Sequence, residues 1–196
     1  QSSLRGRLLT HPKNRRQWIT EDGHWFLHLS DTAYFLLVPH DGYGQAVSEA
    51  DFKQYVRDCR NQGITAVRCF LTSGIDGFEQ DQQQWYNLFA DQELTSLHLD
   101  KLQTVDRRLQ WLLNESPDMY VQLILFPLAS DYGSDDKFWA KMDVVQKQRV
   151  MRHLLARYAA YPQIYWLIIN DAHFGERFPN NNSFARDVGN YFAEHD

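Results

Sequence analysis

Short apolar runs alternate along this chain with longer stretches in which apolar positions recur at three- and four-residue spacing. The runs predict strands over 25–29, 64–71, 119–126 and 163–170. The spaced stretches predict amphipathic helices. The first starts at Ser48, whose hydroxyl caps the opening turn while Asp51 reaches back to it. It carries Phe52, Tyr55, Val56 and Cys59 on one face and ends at Gly63. The second, over 100–113, aligns Leu102, Val105, Leu109, Leu112 and Leu113. The third, over 144–158, aligns Val150, Met151, Leu154, Leu155 and Tyr158. Ser183 is predicted to cap a last helix bearing Phe184, Val188, Tyr191 and Phe192.

The strands read as almost continuous apolar runs, which predicts a parallel sheet covered on both faces. Four strand-then-helix units in order imply an α/β fold with right-handed crossovers. The connections are unequal. Those after strands (30–47, 71–97, 127–143, 170–182) are long, and those after helices (61–63, 114–118, 159–162) are short. Long loops at one face and tight turns at the other are the asymmetry of a (β/α)8 TIM barrel, whose site lies at the strand C-terminal ends. A doubly wound sheet is the alternative, but no Gly-x-Gly-x-x-Gly or Gly-x-x-x-x-Gly-Lys follows any strand. Four units occupy residues 24–196, whereas a whole barrel takes roughly 250 residues. The expectation is therefore the N-terminal half of a single barrel domain, with residues 1–23 as a capping segment and 24–196 as units one to four. Such a half exposes two strand edges, so the rest of the barrel is expected from the same gene product or a second chain.

Composition narrows the function. The chain has 196 residues, 43% hydrophobic and 23% charged, which suits a folded globular domain and excludes disorder. Its 20 Lys+Arg against 25 Asp+Glu give a net charge of −5, and the only basic cluster is 13–16, so a nucleic-acid partner is not expected. No apolar run approaches the roughly 20 residues that cross a bilayer, so no membrane partner is expected either. The chain opens on Gln1 with no apolar leader, so any targeting segment is expected to have been removed or left out. Cys59 and Cys69 fall at helix-to-sheet positions and read as buried free thiols. Aromatic residues reach 14%, and Tyr43, Trp85, Tyr86, Tyr132, Phe138, Trp139 and Phe174 lie on or beside the long loops. There, rings stack on the apolar faces of sugars while Asp, Asn and Gln bond hydroxyls.

The last predicted strand ends Trp166-Leu167-Ile168-Ile169-Asn170-Asp171. An amide and a carboxylate at a strand end can hold a sugar hydroxyl and protonate a glycosidic oxygen. This ending resembles the large clan of retaining (β/α)8 glycoside hydrolases, in which strand four closes Trp-x-x-x-Asn-Glu; Trp166 and Asn170 match, and Asp171 stands where the clan has Glu. The stretch Asp22-Gly23-His24-Trp25-Phe26-Leu27-His28-Leu29-Ser30-Asp31-Thr32-Ala33-Tyr34 is most similar to the opening of the apiosidase-like group, and the similarity continues through 63–68 to strand four.

The resemblance implies a secreted or periplasmic glycoside hydrolase acting on an oligo- or polysaccharide without a cofactor. Asp171 would be its general acid, and its nucleophile would be a Glu on a later strand, absent from these residues; Asp31, Asp131 and Glu176 are the local substitutes. It also implies that Arg68, a charge inside an apolar strand, orients the catalytic carboxylates. Asn170, His173, His40, Asp31, Tyr132, Trp139 and Trp85 complete the expected substrate contacts. Two other readings stand beside this one. A binding protein could keep the cleft without turnover, or His28-x-x-Asp31 with Asp171-x-His173 could ligate a metal in a metal-dependent hydrolase.

Overall fold

The computed structural model describes residues 5–38, 47–71, 88–91, 93–126, 142–170, 174–175 and 179–196. The chain opens with three short antiparallel strands, β1 (Leu8–Thr10), β2 (Trp18–Thr20) and β3 (Trp25–Phe26). A parallel sheet follows. Its strands are β4 (Ser30–Thr32), β5 (Ala66–Phe70), β6 (Tyr120–Phe126) and β7 (Ile164–Ile169). Between and after them run α1 (Glu49–Asn61), α2 (Leu99–Glu115), α3 (Val144–Tyr158) and α4 (Pro179–His195).

The parallel strands lie side by side in chain order, β4-β5-β6-β7. A doubly wound sheet reverses order at a switch point; the described sheet has none. The first predicted strand needs correction. Of residues 25–29, Trp25 and Phe26 pair antiparallel with Trp18 and Ile19, and the parallel ladder begins only at Ser30, opposite Ala66. Run length cannot tell a hairpin strand from a sheet strand, because pairing partners are non-local.

The four described helices form one layer. Arg60 of α1 pairs with Glu115 of α2, and Arg157 of α3 pairs through two nitrogens with Asp106 of α2. Under this layer the sheet contributes Val67, Cys69, Val121, Leu123, Leu125 and Ile164 to one core with Phe52, Val56, Leu109, Leu154 and Val188. The opposite sheet face carries Arg68, Gln122, Tyr165 and Leu167, all only partly buried. The same face buries Ala66, Phe70, Tyr120 and Ile124, and it holds the one Gln and the one Arg that interrupt the apolar runs of β5 and β6. Strand side chains alternate between faces, so β5 and β6 bury their odd positions under the helices and present their even ones inside.

Helix boundaries follow the capping signals closely. The Ser48 hydroxyl accepts from the Asp51 backbone N–H at 3.1 Å and donates to the Asp51 carboxylate at 2.7 Å. Asp143 and Gln146 cap α3 reciprocally, each side chain accepting from the other's backbone N–H. The last helix starts earlier than predicted, at Pro179, so Ser183 lies within it. Proline suits a first helical position, since its missing N–H would have no partner there and its φ is preset. The N-terminal sheet meets the N-terminal ends of the parallel strands. Phe26 packs edge-on to Tyr120 with centroids 4.9 Å apart, the Tyr120 hydroxyl donates to the Gly6 carbonyl, and Arg5 pairs with Asp118.

Candidate functional site

Arg68 and Asn170, 102 positions apart in the chain, meet on the inner face. An Arg68 Nη2 donates to the Asn170 Oδ1 at 2.5 Å, reaching past β6. Asn170 is 4% exposed and sits where the chain bends as it leaves β7. That bend matters. Trp166 has the same parity as Asn170 but belongs to the helix side, where its ring packs edge-on to Phe192 at 5.0 Å and its Nε1 donates to Asp196. Ile169 joins the helix-side core, and Asn170 turns to the inner face next to Arg68.

The guanidinium also lies over the Tyr34 ring at 5.7 Å, and Tyr34 stacks on Phe70 with centroids 4.6 Å apart and planes at 9°. Its Nε–H is buried and has no acceptor among the described residues. A buried cation with a spare donor favours an anion beside it. In register with Arg68 across the sheet stand Gln122 and Tyr165. The Tyr165 hydroxyl bonds the His28 Nε2 at 2.6 Å. Burial pushes the Tyr165 phenol up to about 12, so it is protonated at neutral pH.

Asp31 stands elsewhere. One residue before Thr32 in the ladder, it faces α1, where the Tyr55 hydroxyl donates to its Oδ2 at 2.6 Å and the Thr32 N–H donates to its Oδ1 at 2.9 Å. The single-residue pleat step sends this carboxylate to the helix side and away from Arg68. The Asp31 carboxylate thereby ties β4 to α1. His28 and Asp31, two members of the alternative metal set, are engaged by different partners, Tyr165 and Tyr55. Asp171, His173, His40, Trp85, Tyr132 and Trp139 lie outside the described residues, as do Asp131 and Glu176. Cys59 and Cys69 are buried free thiols as expected, and burial raises both above the usual thiol range. Sequence reasoning missed the inner-face role of Tyr165; its signal was a hydroxyl inside an apolar run, in register with the one arginine.

The fold of this chain is shared by solved structures. A glycoside hydrolase family 5 crystal structure from Bacteroides vulgatus ATCC 8482 superposes with a TM-score of 0.57 at 15% identity, over 97% of this chain and 39% of that one. A second structure, described as a glycoside hydrolase, gives 0.62 at 14% identity, over 97% of this chain and 40% of that one. The chain thus spans about two-fifths of the length of either. No curated protein matches it. Residues 12–196 match the family described as Apiosidase-like, catalytic domain, and the chain belongs to that family.

Proposed function

We propose that these residues form the N-terminal half of a (β/α)8 glycoside hydrolase that cleaves an oligo- or polysaccharide, with Asp171 as its general acid. The observation that carries the reading is the Arg68–Asn170 pair on the inner face, at a strand end, immediately before Asp171. Among the described residues β4 and β7 are each paired on one side, which suits a barrel continued by further strands, and β7 borders a hollow of about 220 Å³ lined by Arg7, Leu8, Tyr161 and Trp166. The remaining strands are the partner this half needs.

In the proposed reaction the Asp171 carboxyl gives its proton to the glycosidic oxygen as the bond from that oxygen to the anomeric carbon breaks. A second carboxylate, from the remaining half and about 5 Å from the first, bonds to the same carbon. Asp171, now ionised, takes a proton from water. The water oxygen then displaces the enzyme carboxylate and releases the sugar. Arg68 has two tasks: one nitrogen fixes the Asn170 amide for a sugar hydroxyl, and its spare Nε–H is available to hold a catalytic carboxylate in its charged form.

The test uses Asp171→Asn in the full-length protein, with glycans and activated aryl glycosides as substrates. Loss of the acid should lower kcat/KM for glycans about 10²- to 10⁴-fold and largely spare kcat/KM for aryl glycosides, whose leaving group needs no proton, while kcat falls on both because the second step loses its base. Equal loss of kcat/KM on both substrates, or none, removes Asp171 from the acid role. Saccharide binding without turnover in the unsubstituted protein would favour a binding protein.

A further inference from the structure

Arg108, on α2, is 2% exposed and spends each of its nitrogens on the stems of one loop. Its Nη1 donates to the Leu36 carbonyl at 3.0 Å, its Nη2 to the Val47 carbonyl at 2.5 Å, and its Nε to the Glu49 carboxylate at 2.9 Å. The Phe52 ring lies 5.1 Å from its guanidinium carbon. Leu36 and Val47 are the two stems of the connection from β4 to α1, which leaves the C-terminal end of the first parallel strand. A carboxylate alone would have satisfied the charge. Two carbonyls from opposite stems instead use the planar fork of the side chain, which fixes the distance between its acceptors.

The next unit holds its neighbour's loop in a looser way, by exposed bonds to one side of the connection only. From α3, Arg149 donates to the Thr95 carbonyl at 2.5 Å and Gln146 to the Glu93 carbonyl at 3.4 Å, on the connection that leaves β5. In both cases the helix of one unit holds the loop of the unit before it. Ordinary helix packing needs no buried guanidinium, and burying one is costly unless its donors are met.

We infer that Arg108 is a positioning residue, which sets the separation of the β4–α1 loop stems and thereby the substrate-binding geometry at the strand C-terminal face. The inference rests on the glycosidase reading for its kinetic consequence, and on the hydrogen bonds alone for its structural one. The full-length protein is compared with Arg108→Met and Arg108→Lys by amide hydrogen exchange and by kinetics on a panel of 4-nitrophenyl glycosides. Lysine keeps the charge but cannot span both carbonyls, so it guards against a methionine variant that fails to fold. Both variants should speed exchange at 37–48 by about tenfold or more while β6 keeps its protection, and KM should rise about tenfold with kcat within about twofold, as expected when a binding group is misplaced. Unchanged exchange at 37–48, uniform loosening of the whole chain, or full rescue by lysine would overturn the assignment. A loosened loop with unchanged KM would leave the anchor and refute its effect on substrate. Absence of any glycosidase activity in the unsubstituted protein would refute the functional reading and leave the exchange result standing.

Discussion

Tyr165 and Tyr120 both point to the inner side of the sheet, and both phenols are pushed by burial to about 12. The neutral phenol is the form the fold prefers, because desolvation penalises the tyrosinate. An unfolded chain releases these protons near pH 10, so the stabilisation is complete below about pH 10 and is lost as pH rises toward 12. Alkaline titration of tyrosinate absorbance should show these two residues ionising late. The unfolding free energy should fall across that window, and Tyr165→Phe should flatten the fall. A fall of equal steepness in the phenylalanine variant would mean that Tyr165 does not contribute. Arg68 could be picked out in the sequence as a charge in an apolar run; its partner could not. Asn170 reaches it only because the chain bends at the end of β7, and strand parity alone would have put this amide with Trp166 under the helices. Asp31 went the other way for the same reason, since one step along a pleat decides which face a carboxylate sees.

The helices and their ends are where local chemistry decides most. Gly63 follows α1 with φ of +73°, and nothing lies within 4 Å of where a Cβ would be. Its requirement is purely conformational. Gly189 lies inside α4 in ordinary helical backbone, again with open space around a Cβ. Alanine at the two sites should therefore act with opposite signs. Gly63→Ala should destabilise by about 1 kcal/mol through left-handed strain, and Gly189→Ala should stabilise by about 0.5–1 kcal/mol by restricting the unfolded chain. Urea unfolding of both variants checks this, and a shift of the same sign in both would contradict it. Caps, breakers and helical periodicity act within a few residues, so α1, α2 and α3 were readable to within two residues. The start of α4 was misplaced because Ser183 and Pro179 both signal a helix start and the fold uses the earlier one. The two-residue strand β3 was read as part of a longer run, because nothing local separates Phe26 from Leu27.

For the molecule as a whole, the edges of the described sheet dominate its behaviour. Among the described residues β4 is paired on one side only, as is β7, while Leu27 is 76% exposed, Leu29 46% and Trp25 61%. Unpaired edges next to exposed apolar side chains template association. Expressed alone, the 196-residue chain should sediment as concentration-dependent oligomers, while a protein that supplies the remaining strands should stay discrete. A monodisperse monomer of the short chain up to high concentration would show that its edges are protected in some other way. The half-barrel expectation came from arithmetic, four units where eight close a cylinder, and this chain spans about two-fifths of the length of the solved structures it superposes on.

The sequence by itself determined the units, their order and most of their ends, because hydrophobic spacing, caps and breakers are short-range and each is written within one turn or one strand. It also marked Arg68 as a buried charge in need of a partner. Only the tertiary structure decided which face each strand residue sees, that all four helices share one side, that Asn170 meets Arg68 while Asp31 goes to Tyr55, and that Arg108 grips both stems of a loop more than fifty positions away in sequence. Those outcomes depend on register, on a bend at a strand end and on which helices become neighbours. Each is fixed by packing among distant segments, and no local run of residues encodes it.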